Sequence, residues 1–328
     1  MKILVTGASG FLGARLVERL HEQGHEVRTF GRGAAAPGRL TLLGLEHVQG
    51  DVCQPDSLAR AVDGCSAVYN LAGLVSYRRS DYQNLYQTNV EGARNVMAAC
   101  QRASIQRVIH MSSIAGMGIP KPETVADESI EYNLKGLGLY YCDTKYEGEL
   151  EVMKFADKGL PVLVLSPGIT FGEGDTHPHH HAIFRSMQGG WLLGYPVGGV
   201  MFSDLEDVVQ TCLNALTAGR IGQRYVIGSA NVSFQNAACM LAEVLQGRKP
   251  FFAFPGSLSE AAGIACEAVF PLFGRRPALT WQVAWLSQRK IFFSSDKAIR
   301  ELGHRQTPFI DTIRRTAPYY LGNRTAAH

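Results

Sequence analysis

The sequence lacks most of what would make it a membrane protein, a disulfide scaffold or a nucleic-acid binder. Its seven cysteines, Cys53, Cys65, Cys100, Cys142, Cys212, Cys239 and Cys266, are odd in number, scattered, and never spaced as CxxC. That pattern suits a reduced, cytoplasmic protein and offers neither a disulfide framework nor a zinc site. The longest uncharged run, Ser186 to Ser203, is broken by glycines and a proline, which makes a poor membrane helix. Phe251 to Phe273 is apolar too, but Pro255, Glu260 and Glu267 interrupt it. The N-terminal apolar run ends in glycines after a few residues, unlike a signal peptide. A formal net charge of +3 is too small to single out nucleic acid as a partner. There is no internal repeat and no low-complexity segment.

One further absence is local. Between Glu26 and Glu46 the chain has no aspartate or glutamate, only Arg28, Arg32 and Arg39 among charged residues of either sign. Its meaning depends on what precedes it. Lys2-Ile3-Leu4-Val5-Thr6 is a strand-forming run that passes into Gly7-Ala8-Ser9-Gly10-Phe11-Leu12-Gly13 and then an amphipathic segment. Strand, glycine turn and helix in that order can hold a dinucleotide pyrophosphate on the helix N-terminus. Gly7 permits the turn, Gly10 the approach of phosphates, and Gly13 close packing of helix on strand. In an NAD-binding unit an acid some 20 residues on would bond the ribose 2′-hydroxyl. Here Arg32 is better placed to meet a 2′-phosphate. The expected cofactor is therefore NADP, with NAD the second choice.

The 328 residues, 46% of them hydrophobic, suffice for one large domain or two smaller ones. Strand-like runs at Val27–Phe30, Glu46–Val52, Ala67–Asn70 and Gln106–Ser112 alternate with helical segments at 12–20, 56–62 and 81–100. That alternation predicts a doubly wound α/β unit with a parallel sheet. Ligands then sit beyond the carboxyl ends of the strands, where Gly7, Gly31, Asp51, Leu71 and Ser113 fall. Tyr141 and Lys145 follow on a helix, four residues apart and so on one face. An ammonium beside a phenol lowers a pKa of about 10 and lets the tyrosine exchange a proton near neutral pH. A serine at a strand end, Ser113 or Ser112, can bond the same substrate oxygen.

Glycine turn, strand-end serine and helical Tyr/Lys, in this order, resemble the extended short-chain dehydrogenases/reductases. The matching segments are Thr6 to Gly13, Gly50-Asp51-Val52, Asn70-Leu71-Ala72-Gly73, Asn89-Val90-Glu91-Gly92, Ser112-Ser113, Tyr141 to Lys145, Ser166 to Asp175 and Asp296 to Gly303. Within that family the chain looks most like the dihydroflavonol-reductase, 3β-hydroxysteroid-dehydrogenase and sugar-epimerase-like branch. The resemblance implies a Rossmann-type dinucleotide domain over 1–175. Residues 176–328 would be mainly a substrate-binding region, with some segments returning to the sheet. It implies Tyr141 as general acid/base, Lys145 on the nicotinamide ribose, and Ser113 as the catalytic serine ahead of Ser112. Cofactor contacts would come from Gly7, Ser9, Gly10, Phe11, Leu12, Gly13, Arg32, Asp51, Val52, Leu71, Ala72, Gly73, Asn89, Pro167, Gly168 and Ile169, besides Tyr141 and Lys145.

Two departures stand out. Gly31 ends the second strand where the family usually has a charged residue, and Val200-Met201-Phe202-Ser203-Asp204 lacks the expected histidine. His177, His179, His180 and His181 tempt a metal reading, but four histidines in five residues do not easily converge, so no metal is expected. Trp191, Tyr195, Phe202, Leu192, Leu193 and Val200 fit a pocket wall or ordinary core. The apolar C-terminal third fits a lid, a homodimer face or a peripheral membrane patch.

The expected activity is an NADP-dependent interconversion of a ketone or aldehyde and an alcohol on a moderately apolar small molecule. A nucleotide-sugar epimerase or dehydratase with tightly held NAD is the alternative, with Arg275 and Arg276 to meet the diphosphate. A non-enzymatic NADP(H) sensor is the third reading.

Overall fold

Strand residues here are apolar on both faces, and such strands are stable only in a sheet covered on both sides. The structure, a computed structural model, describes residues 1–36, 38–274, 277 and 279–322; Arg275 and Arg276 lie outside them. The first half runs β1 (Lys2–Thr6), α1 (Phe11–Glu22), β2 (Glu26–Gly31), β3 (Glu46–Gln49), α2 (Pro55–Val62), β4 (Ala67–Asn70), α3 (Tyr82–Tyr86), α4 (Gly92–Arg102) and β5 (Arg107–Met111). It continues with α5 (Tyr140–Ala156), β6 (Val162–Pro167), β7 (Ile169–Phe171), α6 (Pro178–Gln188), β8 (Gly194–Pro196), β9 (Gly199–Asp204), α7 (Leu205–Asn214) and β10 (Arg224–Ile227). The rest is β11 (Ala230–Ser233), α8 (Phe234–Val244), β12 (Phe252–Phe254), α9 (Gly256–Val269), α10 (Trp281–Ser287), β13 (Lys290–Ile291), α11 (Asp296–Leu302) and α12 (Phe309–Tyr320).

Seven strands form one parallel sheet in the order β10-β6-β5-β4-β1-β2-β3. The order reverses about β1 and β4, which is where such sheets bind ligands. Period-two alternation sends Ile3, Val5 and Ile109 to one face, under α1 and α7. Leu4, Val68 and Val108 go to the other, under α2, α4 and α5. A third core gathers Phe171, Phe184, Phe202, Phe309 and Tyr320 around β7, β9, α6 and α12. Phe202 and Val200 belong to that core, while Trp191 is exposed and lines no wall. The late Asp296–Gly303 segment forms α11, closed by Gly303 in the left-handed region at φ 62°. All seven cysteines are free, and among the described residues no helix is long and apolar enough to cross a membrane.

The helix expected over 81–100 is not continuous. Gln87–Glu91 winds as a π-helical turn between α3 and α4. The reason lies in two glycines. Gly92 presses on Val52, where an added Cβ would sit 2.8 Å from Val52 Cγ2, and Gly148 of α5 crosses the turn so closely that a Cβ would sit 2.1 Å from the Asn89 carbonyl oxygen. The widened turn accommodates the crossing.

Gly148→Ala tests that crossing. Alanine in a helix gains about 1 kcal/mol of propensity over glycine, but overpacking costs roughly 1–3 kcal/mol and should win. A urea midpoint equal to or above the parent's would show that the contact relaxes freely.

Candidate active site

Gly7 has φ 69° and opens the turn after β1, and an added Cβ there would lie 2.7 Å from the Leu71 carbonyl oxygen. At Gly13 a Cβ would lie 2.2 Å from the Gly7 oxygen, so only glycine lets α1 seat on its strand. Gly10 caps α1 without any side-chain hydrogen bond, and the first turn carries no acid. The opening N–H groups of the helix are therefore free for an anion, beside the exposed Ser9 and half-buried Phe11 and Leu12. Thr6 Oγ1 donates to Asn70 Oδ1 at 2.8 Å and accepts from the Ala72 amide at 3.2 Å. These bonds lock the Leu71-Ala72-Gly73 turn against the glycine turn. The turn fits a pyrophosphate.

Further along the sheet edge lies a cavity of about 790 Å³, lined among others by Arg32, His47, Gln49, Asp51, Ser57 and Arg60. No ion pair holds the Arg32 guanidinium among the described residues. Arg28 is different: it is buried, pairs with Glu46 at 2.8 Å and donates to carbonyls of Ala61 and Asp63. It closes the sheet and is unavailable to a cofactor. Asp51 Oδ1 accepts the Cys53 amide, and Val52 is buried with its carbonyl bonded to Asn95. Arg60, a second cation on this cavity, carries no motif that would have marked it.

At the other end, Tyr141 opens α5 and is buried. The Ser113 hydroxyl faces its phenol and favours the ionised form, but burial outweighs that and pushes the phenol up to about 12. Ser113 is extended, and its Oγ accepts the Ala115 amide at 3.2 Å. Ser112 turns the opposite way and donates to Glu149 Oε2 at 2.6 Å. Lys145 points its Nζ to the Met111 carbonyl at 2.9 Å. Burial lowers it to about 8, against the pull of Glu149. The expectation that Lys145 lowers the tyrosine pKa is thus not met in this geometry, because the ammonium is spent on β5. At neutral pH the pair is a protonated phenol and a charged lysine.

Beneath them lies a polar row. His110 Nδ1 meets Asn70 Nδ2 at 3.0 Å, which assigns the ring proton to Nε2. Burial and the Lys145 charge push His110 down to about 3, so it stays neutral. Glu149 also pairs with Arg224, which reaches in from β10. Asn89 spends both N–H groups on the Leu74 carbonyl and Thr144 Oγ1, and its oxygen accepts the Leu74 amide. That makes it a strap between the β4 turn and α5. Gly168 lies between Pro167 and the exposed Ile169; its amide donates to Ser203 Oγ, and a Cβ there would strike the Met201 oxygen at 2.2 Å. Ser203 thus holds the turn on the strand where a histidine was expected.

Besides Arg60, three residues were missed. Tyr77 sets its ring edge-on to Tyr141 with centroids 5.3 Å apart, and Glu149 and Arg224 are the buried pair just described. The histidines also differ from expectation. His177 and His180 both bond the buried Asp175, at 2.7 and 2.5 Å, with Tyr320 OH at 2.7 Å. The His177 amide also donates to that carboxylate, so it is saturated with donors and ties α6 to α12.

Residues 3–228 match the profile of the NAD dependent epimerase/dehydratase family. A 3-beta-hydroxysteroid dehydrogenase from Mycolicibacterium neoaurum is 32% identical over 347 residues, spanning 97% of this chain and 91% of that one. A 2-alkyl-3-oxoalkanoate reductase from Stenotrophomonas maltophilia is 27% identical over 315 residues, 93% of this chain and 94% of that one. The solved UDP-glucose 4-epimerase of Thermotoga maritima superposes with a TM-score of 0.78 at 18% identity, covering 98% of each chain. At that identity the likeness concerns the fold alone.

Glu149→Gln tests the buried pair. Removing the carboxylate charge takes away what raises Lys145, so its pKa should fall further below about 8. The ammonium is then lost at lower pH, and the alkaline limb of dinucleotide binding should move down by about one unit. An unmoved limb would mean that Glu149 only anchors Arg224.

Proposed function

This chain belongs to the NAD dependent epimerase/dehydratase family, in the extended short-chain dehydrogenase/reductase superfamily, and is an NAD(P)-dependent oxidoreductase; within it we propose an NADP-linked reductase of a ketone on an apolar small molecule. The observation that carries this reading is Tyr141, buried, facing Ser113 and one helical turn before Lys145 on α5. A protonated phenol is the form that donates a proton to a carbonyl oxygen. Arg32 and Arg60 on the open cavity beyond β2, with no acid ending that strand, favour a 2′-phosphate.

In this reading the bound nicotinamide supplies hydride to the carbonyl carbon. Tyr141 gives its proton to the oxygen, and Ser113 Oγ orients that oxygen and stabilises charge on it. Lys145, with one N–H on the Met111 carbonyl, offers its other N–H groups to the ribose. Pro167, Gly168 and Ile169 shape the wall at the nicotinamide end. Asp51, Val52 and the Leu71–Gly73 turn line the path of the adenosine. The two named relatives, one acting on a hydroxysteroid and one on an oxoalkanoate, are consistent with an apolar substrate. The epimerase alternative needs cations for a diphosphate, and Arg275 and Arg276 lie outside the described residues.

The purified chain should oxidise NADPH in preference to NADH when offered a panel of apolar ketones. Tyr141→Phe should cut turnover by roughly 10²–10⁴ while NADPH still binds. Arg32→Ala should raise the NADPH KM about tenfold and leave that for NADH unchanged. Turnover indifferent to Tyr141→Phe would sink the mechanism. Tightly retained NAD, released only on unfolding, would favour the epimerase, and binding without turnover the sensor.

A further inference from the structure

α9 is built inside out. Of its fourteen residues only Gly263 is buried, and Leu258 and Ile264 are 62% and 57% exposed. Its two carboxylates face the protein: Glu267 accepts the Trp281 amide at 3.2 Å, and Glu260 acts on Arg289, itself stacked over Trp285. A Cβ on Gly263 would lie 2.8 Å from the Trp281 nitrogen, so α9 is seated hard on the start of α10 with its apolar side outward. The same surface extends at both ends of the helix. Phe251 before it is 65% exposed, and Leu272 and Phe273 after it are 80% and 74% exposed. Leu193, 42% exposed, adjoins Phe251 beside the β8–β12 pair, where the Phe251 amide donates to its carbonyl.

No exposed residue from Phe251 to Phe273 carries a charge. Monomeric proteins rarely leave so continuous an apolar surface to water. Two cations stand at its start. Arg248 and Lys249 are exposed immediately before Phe251, and the Arg248 guanidinium lies 5.4 Å from the Phe251 ring centroid.

We propose that this face docks on an anionic phospholipid bilayer, with α9 in the headgroup region and Arg248 and Lys249 among the lipid phosphates. Exposed aromatic rings with basic neighbours are the composition that binds such interfaces. Charge also decides against a second copy as the occupant. A two-fold interface sets a patch against itself, and this one would bring cations to a face whose described residues, Phe251 to Phe273, include no exposed carboxylate to meet them. An anionic lipid surface supplies that complement.

The proposal does not rest on the identity of the substrate, and its test uses no turnover. The full chain is sedimented with vesicles of phosphatidylcholine containing phosphatidylglycerol, and with phosphatidylcholine alone. Binding is expected to the mixed vesicles and to weaken with salt, and Arg248→Gln and Lys249→Gln should each lower it about fivefold. Ile264→Asp with Leu272→Asp should abolish it while the circular dichroism and unfolding midpoint stay those of the parent. No binding to either vesicle would overturn the proposal. So would equal binding to both with no effect of salt, or self-association in the ultracentrifuge that Ile264→Asp reverses without any vesicle binding.

Discussion

One contact spaces the two halves of the site: the backbone of α5 at Gly148 against the carbonyl of Asn89. The gap is smaller than a methyl group. It fixes the height of α5 over the sheet, and Lys145 and Tyr141 sit one and two turns before the crossing, on the same helix. Asn89, in the π-helical turn at that point, reaches both Leu74 and Thr144. The loop after β4 and the tyrosine helix are thus held by a single amide. A second close approach, Gly7 on Leu71, ties that same loop to the phosphate end. The glycine turn after β1, the loop after β4 and the helix that carries Tyr141 are thus joined by two close backbone approaches and the Asn89 side chain.

Electrostatics then sets the state of that rigid frame. Burial disfavours charge on both Tyr141 and Lys145, raising one and lowering the other. Proximity alone would have coupled them, with the ammonium drawing down the phenol. Instead the ammonium bonds the Met111 carbonyl and is countered from beneath by Glu149, while Ser113 is the group that works on the phenol. Neutral His110, pinned by Asn70, lets the lysine be buried without a second positive charge beside it.

Much of this was legible in the sequence because it depends on the backbone. Glycines that must pack, strand ends that must align and a four-residue helical spacing are local and periodic, and they placed the sheet, the phosphate turn, Ser113, Tyr141 and Lys145 on one edge. What escaped is what periodicity does not encode. Arg28 falls in the second strand as expected, but its burial and its bonds to Glu46, Ala61 and Asp63 are not encoded in that periodicity. Glu149 continues the Tyr141–Lys145 face by another turn, and that spacing was a signal open to use. Its partner Arg224 is 75 residues away in sequence, joined to it only by the sheet. Tyr77 and Arg60 belong to no motif at all. Asp175 draws two of the histidines, His177 and His180, together, which their spacing alone did not suggest.

The sheet's last strand has a consequence for the order in which this molecule is made. β6 is buried along its length, and its outer partner is β10, some sixty residues later on the chain. A nascent chain that has emerged only as far as β6 presents a largely apolar strand with an open edge, the kind that pairs with a neighbour. Synthesis must carry β7, β9 and α7 out before that edge is capped. The strand that caps it also delivers Arg224 to Glu149, beneath the lysine. Closure of the edge and completion of the buried charge network are therefore one step, so a chain still aggregation-prone at β6 also lacks the finished site.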